Sequence, residues 1–186
     1  MHRFIIYIQN SKYYPSDIDY VMMKSRQLCS QSQAKIHDIR ISNFNLELDI
    51  SINNLDQKLI KTLQHLGSIT RIKHVIDEKM PKDDAIKKGQ NYFNNEYFWE
   101  CHEVLESVWK NCYGVEKNLL QGIILTAAAF VHYQKNENTV CMSILNRASK
   151  KLLLYHYDFY YEINIKNIKI NIQNIIKHDK ILLFTI

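Results

Sequence analysis

The hydrophobic period of this chain changes once, near residue 80, and that change limits it to folds with two differently built parts. In residues 45–52, NLELDISI, Leu46, Leu48, Ile50 and Ile52 alternate with Glu47, Asp49 and Ser51. A period of two belongs to a strand with one apolar face. From about residue 81 onward the apolar residues recur at three and four instead, the spacing of helices buried along one side.

The first eighty residues alternate in type. FIIYIQ (4–9) is a short continuous apolar run and reads as a central strand. The segment 14–30 follows with Ile18, Val21, Met22, Leu28 and Cys29 at helical spacing, and Pro15 and Ser16 as a start signal. KIHDIRISNF and NLELDISI are two strands joined by a tight turn near Asn43. Residues 53–67 form a helix with Asn54 as its cap, Leu55, Leu59, Leu63 and Leu66 inward, and Gly67 as its stop. SITRIKHVID (68–77) is a last strand whose Arg71, Lys73 and His74 suit a sheet edge. The order βαββαβ is the ferredoxin-like plan, an antiparallel sheet with two helices on one face.

EKMPKDD marks the boundary, which places a ferredoxin-like domain at 1–79 and a helical domain at 80–186. Helices are expected over 81–95, with Ala85, Ile86, Gly89, Tyr92 and Phe93 inward, and over 97–112 and 115–134. A further helix at 140–155 turns Ile144, Leu145, Ala148, Leu152 and Tyr155 inward. A fifth helix is expected at about 165–178, where the Ile-rich spacing also fits a strand. The fold class is therefore α+β, with an all-α bundle after the sheet domain.

Composition narrows the classes of function. The 46% hydrophobic and 23% charged content is that of a soluble globular protein. No apolar stretch approaches the roughly 20 residues of a membrane span. MHRFIIYIQN lacks a signal-peptide pattern and reads as the first strand. The net charge of +5 is spread evenly, 11 Lys and Arg against 8 Asp and Glu in residues 1–80 and 13 against 11 thereafter. No basic block tracks a phosphate backbone, and Glu47 and Asp49 on the expected open sheet face repel one, so nucleic acid is disfavoured as a partner. A homo-oligomer stays open. Cys29, Cys101, Cys112 and Cys141 form no CxxC pair and read as reduced core thiols. Heavy use of Ile, Asn, Lys and Tyr reflects AT-rich codons, as in an algal plastid, which with the lack of a targeting segment points to the plastid stroma and otherwise to the cytoplasm.

The chemistry concentrates in FWECHEVLESVWKNC, residues 98–112. On a helix His102 and Glu106 lie about 40° apart, one turn apart in height. With Phe98, Leu105 and Trp109 taken as the apolar side, both polar groups fall in or beside it, while Glu100, Glu103, Ser107, Lys110 and Asn111 make the wet face. A buried carboxylate must be paired, protonated or metal-bound. One reading is a buried His102–Glu106 pair that fixes helix register. The other is a divalent metal on His102 and Glu106, completed by His132 or Glu103. HExxE lacks the second His of the zinc-protease helix, which argues against that class, and ligand count favours the structural pair. Gln121, Leu125, Ala128 and His132 share a face of the next helix; an antiparallel pair sets Gln121 near Trp109 and His132 near His102. Tyr155, Tyr157, Phe159, Tyr160 and Tyr161 read as packing groups, and His156 and His178 as solvated.

Tyr92-Phe93-Asn94, Tyr97-Phe98-Trp99-Glu100, His102-Glu103-Val104-Leu105-Glu106 and Trp109 are followed by Leu120-Gln121-Gly122-Ile123-Ile124, Ala127-Ala128-Ala129 and His132. This series resembles the bacterial and plastid family called domain of unknown function 309, in a plastid or cyanobacterial type with an extra N-terminal domain. Its hallmark is HxxxExxW on one helix, then a helix opened by QG and closed by a histidine. The resemblance covers about residues 83–155 and implies an all-helical fold and a metal-binding role for the motif His and Glu. Asn136-Glu137-Asn138 stands where the family has a Gly-Asn turn.

Two functions follow as expectations. The first is a binding or scaffold module with a buried His/Glu site between helices, its pocket lined by Trp99, Trp109 and Gln121. The second is a metal-dependent hydrolase with His102, Glu106 and His132 as ligands and Glu103 as general base.

Overall fold

A computed structural model describes residues 1–76 and 80–186. The expected boundary at residue 79, and Asp77 at the expected end of the last strand, fall outside the described residues. The chain divides into two compact units, Met1–Glu78 with Gln134–Asn136, and Lys79–Tyr133 with Glu137–Ile186.

The first unit runs β1 (His2–Gln9), a 3-10 turn (Pro15–Asp17), α1 (Ile18–Cys29), β2 (Lys35–Ile41), β3 (Asn45–Ile52), α2 (Gln57–Leu63) and β4 (Ile69–His74). The sheet order is β2-β3-β1-β4 with every neighbour antiparallel, the ferredoxin-like arrangement. β4 is an edge, as its charged residues require. Ile6, Ile8, Leu46, Leu48 and Ile50 form one core with Val21 of α1 and Leu59 and Leu63 of α2. The cap of α2 is Asp56 and not Asn54: its carboxylate accepts the Leu59 N–H at 2.8 Å, two residues later than the expected start. Gly67 is bound to its place by crowding, since a Cβ there would lie 2.5 Å from the Gln9 carbonyl oxygen.

The other sheet face differs from expectation. Glu47 and Asp49 point there as the alternation requires, but both are buried, and each has an arginine partner. Arg40 Nε donates to Glu47 Oε2 at 2.6 Å, and Arg3 holds Asp49 through two hydrogen bonds at 2.8 and 2.5 Å. Tyr7, directly opposite Glu47 in the register, is fully buried as well. Burial pushes the Glu47 carboxyl upward, against the pull of Arg40.

The second unit is helical: α3 (Lys82–Asn94), α4 (Phe98–Trp109), α5 (Gly114–Gln134), α6 (Asn138–Leu152), a hairpin of β5 (Phe159–Tyr160) and β6 (Ile163–Asn164), and α7 (Ile165–His178). The buried residues of α3 are Ala85, Ile86, Gly89, Tyr92 and Phe93, the set read from the sequence. On α6, Leu145, Ala148 and Leu152 are buried and Ile144 only packs against the core; the helix ends at Leu152, so Tyr155, expected on it, lies beyond its end and also packs against the core. Phe93, Phe98 and Phe130 meet with ring centres 5.0–5.8 Å apart, and Phe184 joins Phe93 and Phe130. All four cysteines are free and buried; burial raises Cys101 and pushes Cys141 up to about 12. Among the described residues no helix is long and apolar enough to cross a membrane.

Candidate functional site

Two positive-φ turns set the ends of α4. Glu96 (φ 62) turns the chain out of α3, and Gly114 (φ 59) turns it into α5. Between them α4 buries Phe98, Glu100, Cys101, Val104, Leu105 and Val108. With Phe98 at zero and about 100° per residue, the middle of this buried arc lies near 280°, while His102 falls at about 40° and Glu106 at about 80°. The expected buried pair is therefore corrected. His102 and Glu106 stand at the rim of the apolar stripe, their side chains 30% and 36% exposed. Phe98, Leu105 and Trp109 suggested a stripe centred near His102, but Cys101, Val104 and Val108 shift its centre away.

Glu100 is the second correction. Assigned to the wet face, it is 1% exposed, one turn before Val104. Burial pushes its carboxyl up to about 8; its own backbone hydrogen bond opposes this, and the charge of Glu103 adds to it. The sequence held one signal for this, the stacking of Val104 and Val108 one and two turns after Glu100.

The third group beside His102 is Glu103. Its Oε1 lies 3.1 Å from His102 Nδ1, whereas Glu106 Oε2 stands at 3.9 Å, beyond hydrogen-bond range. Ligand atoms of His102, Glu103 and Glu106 all lie within 4.8 Å of one another. Lys110 Nζ also lies 3.9 Å from Glu106. His132 is not in this cluster; its Nδ1 pairs with the carboxylate of Glu137.

Trp109 donates its indole N–H to the Lys117 carbonyl at 3.1 Å, and the Lys117 ammonium lies 4.9 Å from the ring. Lys117 thus takes the place expected for Gln121, one turn earlier on α5. Gln121, Leu125, Ala128 and His132 do share a face, and all four are half-buried. Trp99 is half-buried too. A cleft of about 550 Å³ lies in the first unit, lined by Lys24, Leu28, Asp56, Leu59 and His65 among others, and not beside Trp99, Trp109 and Gln121.

Sequence reading missed one polar cluster. Lys82 of α3 binds Glu116 of α5 at 2.5 Å, and Tyr160 of the hairpin donates its hydroxyl to the same carboxylate oxygen at 2.8 Å. The hydrogen bond from Lys82 holds Glu116 below the usual carboxylate range, and burial raises Tyr160 well above an ordinary phenol. The three residues are far apart in sequence and carry no spacing signal.

The HxxxExxW helix α4 and an α5 that carries Gln121, Gly122 and His132 lie together in the stretch where the comparison finds its match. Residues 86–144 match the family model Domain of unknown function (DUF309). The DUF309 match runs from Ile86 on α3 to Ile144 on α6, contains all of α4 and α5, and supports that family for the helical domain. No curated protein and no solved structure matches the chain.

Proposed function

We propose that the DUF309 domain is a binding module whose ligand is a divalent cation, held on the half-exposed side of α4. The observation that carries this is the meeting of three ligand atoms, from His102, Glu103 and Glu106, within 4.8 Å. His and Glu at i and i+4 lie on one side of a helix, so a single rigid element presents both. One imidazole and two carboxylates suit Zn, Mn or ferrous iron, and a three-ligand set leaves coordination positions for water or a partner's side chain. Binding is preferred to hydrolysis because Glu103, the expected general base, is the group closest to His102 and acts as a ligand or as an orienting acceptor. His132, paired with Glu137, lies outside the ligand set.

In this reading the chain is a plastid-type protein in which a ferredoxin-like domain precedes a DUF309 bundle. The test is calorimetric titration of the full chain with Zn²⁺ and with Mn²⁺, beside thermal melts. One equivalent bound, with a rise in melting temperature that is lost in His102→Ala and Glu106→Ala, supports the proposal. No heat and no shift with either metal would reject it.

A further inference from the structure

From the segment after α6, on residues separate from the cation site, we infer that the helical unit docks on an anionic lipid surface. Leu153, Leu154, Tyr157, Phe159 and Tyr161 are five large apolar side chains exposed within nine residues, Tyr157 by 73% and Phe159 by 58%. A folded chain covers such a run unless it serves contact.

The segment is held in place. Tyr160 is buried and anchored on Glu116, so strand alternation turns Phe159 outward. The Tyr155 hydroxyl donates to the Phe159 carbonyl at 3.1 Å, Lys169 Nζ donates to the Tyr155 carbonyl, and Tyr161 donates its hydroxyl to Asp83 at 2.7 Å. The apolar groups are thus presented by a braced turn.

Charge and side-chain chemistry name the occupant. Residues 147–169 hold five cations, Arg147, Lys150, Lys151, Lys166 and Lys169, against Asp158 and Glu162, and with Lys82, Asp83 and Glu116, which gather at Tyr160 and Tyr161, the net charge is +2. Lys166 also lies 3.8 Å from Asp158 and offsets it. Basic groups beside exposed Leu, Phe and Tyr match the boundary between anionic headgroups and acyl chains, where tyrosine keeps its hydroxyl wet while its ring is buried. Single-stranded nucleic acid fits less well, since Leu153 and Leu154 offer no ring for a base to stack on.

The experiment is co-sedimentation of the full chain with phosphatidylcholine vesicles and with vesicles containing phosphatidylglycerol. Binding to the anionic vesicles is expected, weakened by high salt. Leu154→Ser with Phe159→Ser should lower it at least tenfold at an unchanged melting temperature, because both side chains are exposed. In a Tyr157→Trp variant, indole emission should shift to the blue on anionic vesicles alone. Failure to sediment with either vesicle overturns the inference. So does binding that survives the double substitution, or a concentration-dependent dimer that the double substitution abolishes, which would make a second copy of the chain the partner.

Discussion

Gly122→Ala isolates the reason that a glycine follows Gln121 in the middle of a helix. The backbone of Gly122 is helical, so alanine there gains about 1 kcal/mol of helix propensity. Its Cβ, however, would stand 2.7 Å from both Cγ and Cδ2 of Leu152 and 3.3 Å from the Leu152 backbone nitrogen. Carbon atoms pack at about 3.5–4.0 Å, so the overlap is roughly an ångström. Leu152 is fully buried on α6, and the crowded Cγ is a branch point that cannot swing clear as a flexible tip would. Either Leu152 leaves its rotamer or α6 retreats. Overpacking of this kind costs about 1–3 kcal/mol, and here the upper half applies, for a net loss of about 1–2 kcal/mol. Urea denaturation measures it. Leu152→Ala alone should cost about 2–5 kcal/mol through its cavity, and the double variant should cost less than the sum because the new methyl enters vacated space. A Gly122→Ala protein as stable as the parent, or a strictly additive cycle, would refute the packing argument.

Glu100→Gln should flatten one part of the pH profile. The folded carboxyl titrates near 8 against about 4.5 unfolded, so its contribution is full below pH 4.5 and is lost as pH rises to 8, by at most about 1.4 kcal/mol per pH unit. Melting temperatures at pH 5 and pH 8 should differ more for the parent than for the variant. Glu116 acts with the opposite sign: its carboxyl is lowered by Lys82, so its contribution is present above the ordinary Glu value and lost on acidification, and Glu116→Gln should soften acid unfolding followed by circular dichroism. Asp56→Ala removes the cap of α2 and should cost about 1 kcal/mol in urea melts. His102→Ala, at a half-exposed position, should cost no more than about 0.5–1 kcal/mol without metal, and a loss of several kcal/mol would restore the buried-pair reading.

The elements were legible because they depend on local periodicity. The buried face of α3 follows from spacing alone, and the sheet order follows once βαββαβ is recognised, whereas the Ile-rich spacing of 165–178 fits a strand as well as the helix α7, Ile165–His178, that forms there. The candidate site was legible in part. HxxxE places His102 and Glu106 on one side of a helix, and the nearness of Glu103 follows from a neighbouring residue's reach. What failed was the angle: an apolar arc as broad as that of α4 has no unique centre in sequence, so the burial of Glu100 and the partial exposure of His102 were exchanged.

Sequence alone therefore determined the change of period near residue 80, the two kinds of unit, and the helix that carries the histidine. Tertiary structure decided which rim of that helix is wet, that Glu103 and not His132 completes the cluster, and that Lys82, Glu116 and Tyr160 converge. The physical reason is range. Periodicity is set by backbone geometry within a few residues, whereas burial of one carboxylate and pairing of another depend on chains that arrive from tens of residues away.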